Sequence, residues 1–147
     1  MLEIRRMETA DALSVYPLMR GFYDRCLGRG RYSEDLIWNN IDRCTGSYPH
    51  LEGWVMTDRV VVMGYAMVSF GYETAAGRET LRVEELYVDR PFRATDAATS
   101  FLRGLTGLYP EAMRASVEAG SRQEAEIYKR CGYLRHTTVL STMDRRF

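Results

Sequence analysis

Three apolar runs follow one another closely in the middle of the chain: "GWVMT" (53–57), "VVVMGYAMVSFGYE" (60–73) and "LRVEELYVD" (81–89). Asp58 and Arg59 separate the first two, and "TAAGRET" (74–80) separates the last two. Such runs, rich in β-branched and aromatic residues and divided by short turns, are predicted to be strands. Three consecutive strands joined by turns make an antiparallel meander, beginning with a hairpin. That meander is the fixed centre around which the other elements must be placed.

The flanking segments supply helices. "LEIRRM" (2–7) begins as an alternating strand, and "ETADALSVYPLMRGFYDRCL" (8–27) follows with Thr9 as a cap. Ala12, Val15, Tyr16, Met19, Phe22, Tyr23 and Cys26 share a helical face, while Pro17 is expected to kink or break it. "GRGRYS" (28–33) is a basic loop, and Ser33, Glu34 and Asp35 open a second helix with Leu36, Ile37, Ile41 and Cys44 on its apolar face. "TGSYPHLEG" (45–53) is a loop. Beyond the meander, Ala97, Ala98, Phe101, Leu102, Leu105, Leu108 and Tyr109 fall on one face of a third helix. "EAMRASVEA" (111–119) is a short strand. Ser121 and Glu124 have the spacing of a capping box, and the helix they open stops at Gly132. "YLRHTTVLSTMDRR" (133–146) closes the chain as one long strand or two short ones. The expected class is α/β (α+β), β-α-α-β-β-β-α-β-α followed by β or β-β, with residues 1–147 as one domain.

Composition narrows the function. Twenty basic residues balance twenty acidic ones, so no overall field favours a nucleic-acid partner. Cys26, Cys44 and Cys131 are odd in number and far apart; they have neither disulfide-framework nor zinc spacing, read best as buried small hydrophobes, and imply no metal. The N-terminal segment carries charges where a secretory leader needs an apolar run, and no run approaches the ~20 residues that span a bilayer. A cytoplasmic protein with no membrane partner is the expectation.

Four features together resemble the GNAT superfamily of acetyl-coenzyme A-dependent N-acetyltransferases. They are "VVMGYAMV" (61–68) with Gly64, "EELYVDRPFR" (84–93), the helix after it, and "AEIYKRCGY" (125–133), similar to a family helix of the form A-x-x-x-Y-x-x-x-G-F/Y. The resemblance spans nearly the whole chain and implies a mixed sheet with an antiparallel N-terminal meander and helices on both faces. It implies acetyl-coenzyme A as cosubstrate and direct transfer to a primary amine of a small molecule or peptide, by a monomer or homodimer. The alternative is a non-catalytic ligand sensor or partner-binding domain on the same fold.

The implied cofactor site begins on Leu86, Tyr87 and Val88, whose backbone would hold the pantetheine arm and thioester between splayed fourth and fifth strands. It continues through Arg93, Ala94, Thr95, Asp96, Ala97 and Ala98, which stand where the family has Q/R-x-x-G-x-G/A. The free N–H groups of a helix N-terminus bind pyrophosphate, and Arg90 and Arg93 could add charge-assisted bonds. The first and last loop positions fit; the central glycine is Asp96. A carboxylate about 5 Å from a phosphate charge costs ~1 kcal/mol in water and ~3 kcal/mol at an effective dielectric of 20. Read from the residues alone, Asp96 or Thr95 is a helix cap.

Amine acetylation needs a base for the ammonium and an acid for the departing thiolate. Glu84 and Glu85 are the candidate bases: neighbours on a strand point to opposite faces, so one of them faces the cleft, and Glu84 is preferred. Alternatively both are solvated or paired with arginines such as Arg82. Tyr128 matches the family tyrosine proposed as the acid, or is a core residue beside Ile127 and Cys131. Neither His50 nor His136 has a spacing that pairs it with Cys131 as a nucleophile. Arg25, Arg29 and Arg31 would border the acceptor, as carboxylate ligands or as a solvated face.

Overall fold

The three central runs fold as successive antiparallel strands in a computed structural model that describes residues 1–112 and 114–134. They are β2 (Leu51–Asp58), β3 (Val61–Glu73) and β4 (Arg78–Val88). The first turn falls one residue later than the sequence suggests, on Arg59 and Val60, because Asp58 still pairs with Val61. Arg59 takes the left-handed conformation there, at φ 57°. β1 (Leu2–Arg6) pairs antiparallel with β2, and β5 (Arg114–Val117) pairs parallel with β4, giving the sheet order β1-β2-β3-β4-β5.

Helices cover both faces, as strands buried on two sides require. On one side α1 (Ala12–Tyr23) and α2 (Glu34–Thr45) bury Val15, Met19, Ile37 and Ile41 against Val55 and Tyr65. On the other, α3 (Ala97–Leu108) and α4 (Arg122–Arg130) border a core of Phe101, Leu102, Leu105, Met56, Ala66 and Val68. Leu36 departs from the expected face of α2 and is partly exposed.

Three local expectations change. Thr9 is not a cap: it opens a 3-10 turn, Thr9–Asp11, that leads into α1. The N-terminal tie is Asp11, whose carboxylate accepts from the Glu8 N–H at 2.8 Å and from both Arg5 terminal nitrogens at 2.8 and 2.9 Å. Pro17 does not break α1. The carbonyl its missing N–H would have met belongs to Leu13, whose side chain marks the solvent side of the helix. Cys26 is exposed, whereas Cys44 is buried, which pushes its thiol up to about 12; Cys131 is half-buried.

The last helix follows its sequence signals. Ser121 Oγ accepts from the Glu124 N–H at 3.2 Å, and Glu124 Oε2 reaches back to the N–H of Gly120, at 2.7 Å. At the far end Gly132 has φ 94°, the Tyr133 N–H meets the Tyr128 carbonyl at 3.0 Å and the Gly132 N–H meets Lys129 at 3.0 Å. This is a Schellman stop. The expected closing strand or strands, with His136, lie almost wholly in 135–147, outside the described residues.

The Arg5 hydrogen bonds hold the Asp11 carboxyl below the usual carboxylate range. A lowered folded-state pKa contributes stability above the unfolded value of ~3.9, and that contribution is lost as pH falls through the folded value. Asp11→Asn should therefore cost about 1 kcal/mol at pH 7, a modest figure because solvent screens the partly exposed Arg5. In urea melts the difference from the parent should shrink as pH falls below about 4 and vanish once the folded carboxyl is itself protonated.

Candidate active site

The position of both acidic candidates depends on one irregularity in β4. Met67 pairs with Glu85 and Val68 with Val83, so Glu84 is an extra residue in the strand, a β-bulge. Upstream, Leu81 and Val83 point into the α3–α4 core. Downstream the alternation is inverted: Glu85 and Tyr87 point towards α1 and α2, while Leu86 and Val88 pack on the other side. The simple two-residue period assumed for Glu84 and Glu85 fails here.

The bulge gives the two carboxylates different surroundings. Glu84 is exposed, accepts from Ser69 Oγ at 2.6 Å and lies 3.7 Å from Arg82. Glu85 is buried, at 6% exposure, with a hydroxyl donor on each oxygen: Tyr23 Oη to Oε2 at 3.1 Å and Tyr65 Oη to Oε1 at 3.3 Å. Asn40 Nδ2 in turn donates to Tyr23 Oη at 2.6 Å. Burial raises the Glu85 carboxyl to about 7, with the two hydroxyls pulling the other way. A carboxyl balanced between its two forms at neutral pH suits proton transfer.

β4 outruns its parallel neighbour. Pairing with β5 extends from Thr80–Arg114 to Val83–Val117; beyond it, among the described residues, Glu84 to Val88 have no strand partner on that side. Beside that unpaired stretch, between the end of β4 and helices α3 and α4, lies a cleft of about 200 Å³. Leu86, Val88, Ala98, Leu102, Ile127 and Tyr128 make its apolar wall, and Arg25, Tyr87, Arg93, Thr95 and Glu124 complete it. Tyr128, half-buried at its edge, is raised to about 12 by burial, with Glu124 adding to the effect and Arg25 opposing it, so the phenol stays protonated at neutral pH.

The N-terminus of α3 adjoins this cleft through Thr95 and Ala98. Asp96 occupies the cap position, yet its side chain makes no capping bond. Thr95 does not cap either, since its hydroxyl donates to the Phe92 carbonyl at 2.5 Å. The backbone N–H groups of Ala94, Asp96, Ala97 and Ala98 meet no acceptor among the described residues. The helix end therefore retains the free donors that an anion requires. Arg93 turns from the helix towards β4: Nε donates to the Val88 carbonyl at 3.3 Å and Nη2 to Tyr87 Oη at 3.5 Å. Arg25 lies over the same tyrosine ring at 5.8 Å and 3.9 Å from Glu124, spanning from the segment after α1 to α4. Arg29 pairs with Asp24 at 4.0 Å.

Leu86, Tyr87, Val88, Arg93, Thr95, Ala98 and Tyr128 thus line one cleft; Glu85 does not, its carboxylate being turned beneath α1 towards Tyr23. Sequence reading missed Tyr23, Tyr65 and Asn40 because helical and strand periodicity assign the two tyrosines to packing. The available signal was chemical: a buried tyrosine hydroxyl needs a partner, as does a carboxylate within an apolar strand.

No protein-family model matches the chain, and no curated protein sequence does. Solved structures do match along its whole length. A possible acetyltransferase from Clostridium difficile 630 superposes with a TM-score of 0.85 at 12% identity, covering 100% of this chain and 99% of that one. AAC(6')-Iy, solved with the bisubstrate analogue CoA-S-monomethyl-acetylneamine, gives 0.80 at 14% identity over 99% of each chain. Ribosomal-protein-alanine N-acetyltransferase from Brucella melitensis biovar Abortus 2308 gives 0.72 at 17% identity, covering 100% of this chain and 99% of that one. With β5 pairing parallel to β4 only as far as Val83 and helices on both faces, this chain has the fold of the GNAT N-acetyltransferases.

Proposed function

We propose that the protein is an acetyl-coenzyme A-dependent N-acetyltransferase acting by direct transfer on a primary amine of a small molecule or peptide. The observation that carries this reading is the cleft beside the unpaired end of β4, next to a helix N-terminus with free N–H groups. An extended amide-bearing arm fits the unpaired edge of Leu86, Tyr87 and Val88, and a pyrophosphate fits the N–H groups of Ala94, Asp96, Ala97 and Ala98. Coenzyme A would supply the acetyl group as an activated thioester. Arg93, Thr95 and Arg25 would border it at the cleft.

In this reading Glu85 is the base, in preference to Glu84. It lies where desolvation keeps its proton affinity near neutrality, whereas Glu84 is solvated and engaged by Ser69 and Arg82. Tyr128 is the acid: its phenol keeps its proton at neutral pH and can donate it to a thiolate forming in the cleft. The acceptor approaches from the α1–α2 side, towards which Glu85 points.

Asp96 is the feature that favours a second reading, a ligand sensor that binds weakly and transfers nothing. Its carboxylate is exposed and makes no capping bond. In water one unit charge about 5 Å from a phosphate weakens binding about fivefold. Asp96→Asn should tighten acetyl-coenzyme A by that factor in calorimetric titration. Mass spectrometry of the protein with acetyl-coenzyme A and a panel of amines separates the readings. An acetylated amine supports the enzyme, and cofactor binding with no product from any amine supports the sensor.

A further inference from the structure

The Glu85 carboxyl is buried, and a base must exchange its proton with something outside. Its two direct partners differ in this respect. Tyr65 is fully buried on β3 and leads nowhere. Tyr23 ends α1, and its hydroxyl oxygen is also bonded to Asn40, which is only half-buried on α2. The ring of Tyr32 meets Tyr23 edge-on at 5.5 Å, and the Tyr32 hydroxyl donates to Asp24 Oδ1 at 2.6 Å. Directly after Tyr23 the helix widens into a π-helical turn, Asp24–Gly28, an irregularity often found at functional sites.

Resting on the proposed role of Glu85 as base, we propose that Tyr23 is its proton relay, the hydroxyl through which the buried carboxyl exchanges its proton with an acceptor amine arriving beside the half-buried Asn40 of α2. The step balances without ionising the tyrosine. An acceptor ammonium gives its proton to Tyr23 Oη as Tyr23 passes its own proton to Glu85 Oε2. The amine is left neutral, Glu85 protonated and Tyr23 unchanged. Asn40 fixes the hydroxyl by occupying one side of its oxygen, so that the O–H points at Glu85.

The titratable groups around Glu85 are Tyr23 on α1, Cys26 on the π-helical turn, Cys44 on α2, Tyr65 on β3, and Glu84 and Tyr87 on β4. None carries positive charge, so hydroxyl donation is what holds the ionised form. Burial and the adjacent Glu85 push the Tyr23 phenol well above its usual range, and it stays a donor at every working pH.

The test is Tyr23→Phe, which keeps the ring and its packing, read in two ways. One readout is the titration midpoint of the Glu85 side-chain carboxyl, followed by 13C NMR, which needs no turnover. The other is the pH profile of kcat, with KM for acetyl-coenzyme A. The expected result is a midpoint raised by about half a pH unit or more, a threefold gain in proton affinity from the lost donor. The kcat should be roughly tenfold lower or worse, stay low above the shifted limb, and leave KM unchanged. Asn40→Ala, which does not touch Glu85, should move the midpoint the same way by a smaller step. An unmoved midpoint in Tyr23→Phe overturns the proposal, and so does full recovery of kcat above the limb. Failure of the underlying reading looks different: Glu85→Gln would then turn over at the parental rate, whatever the midpoint in Tyr23→Phe.

Discussion

Replacing Glu85 by glutamine should lower kcat at least a hundredfold and, at pH 7 to 8, should make the protein more stable. Both effects come from the same burial. A positioned base contributes roughly 10²–10⁴ in rate, and glutamine cannot accept the proton. The stability change follows from linkage. Glu85 is raised to about 7 in the folded protein, against ~4.3 in an unfolded chain. Between those values the folded state binds the extra proton, so its stability falls as pH rises from about 4 to 7. Glutamine removes that dependence. The gain over the parent should be on the order of 2 kcal/mol above pH 7 and absent near pH 4. Parental kcat/KM should rise with pH through a limb near 7. Urea melts at the two pH values, with the pH–rate profile, check all three. Loss of activity accompanied by loss of stability at pH 7 would mean that Glu85 is a structural residue.

Gly64→Ala should destabilise the fold by about 3 kcal/mol, the cost of forcing an atom against packed backbone. Gly64 pairs with Val88 at the end of β4, and a Cβ there would lie 2.5 Å from the Tyr87 carbonyl oxygen and 3.1 Å from the Val88 Cα. Both are main chain at the cleft edge, so relief requires β4 to move at Tyr87 and Val88. Differential scanning calorimetry should show Tm lower by roughly 10 °C. The fraction that folds should bind acetyl-coenzyme A more weakly. Gly104→Ala on α3, where a Cβ meets nothing within 4 Å, serves as the control and should leave Tm unchanged or slightly raised. Equal losses in the two variants would remove the close approach as the cause.

The architecture was readable because its signals are local. Apolar runs and short turns specify β2, β3 and β4, and Ser121, Glu124 and Gly132 mark the two ends of α4 through bonds within a few residues. The site was less readable because its decisive features are not local. Nothing in "VEELYV" announces that Glu84 bulges; the extra residue shows only in the pairing of β4 with β3. That single slip sends Glu85 beneath α1, where its partners come from Tyr23 and Tyr65, 62 and 20 residues away. Asp96 illustrates the converse. A short acid before a helix is read as a cap, and it stands at the cap position, but its side chain leaves the N–H groups free.

Acetyl transfer by this chain requires that those free N–H groups and the cleft beside Val88 hold coenzyme A despite the carboxylate of Asp96. Calorimetric titration of the full chain with acetyl-coenzyme A tests this most directly. The predicted result is heat saturating at one ligand per chain with a Kd between micromolar and millimolar. No heat at millimolar acetyl-coenzyme A, from protein shown to be folded, would contradict it.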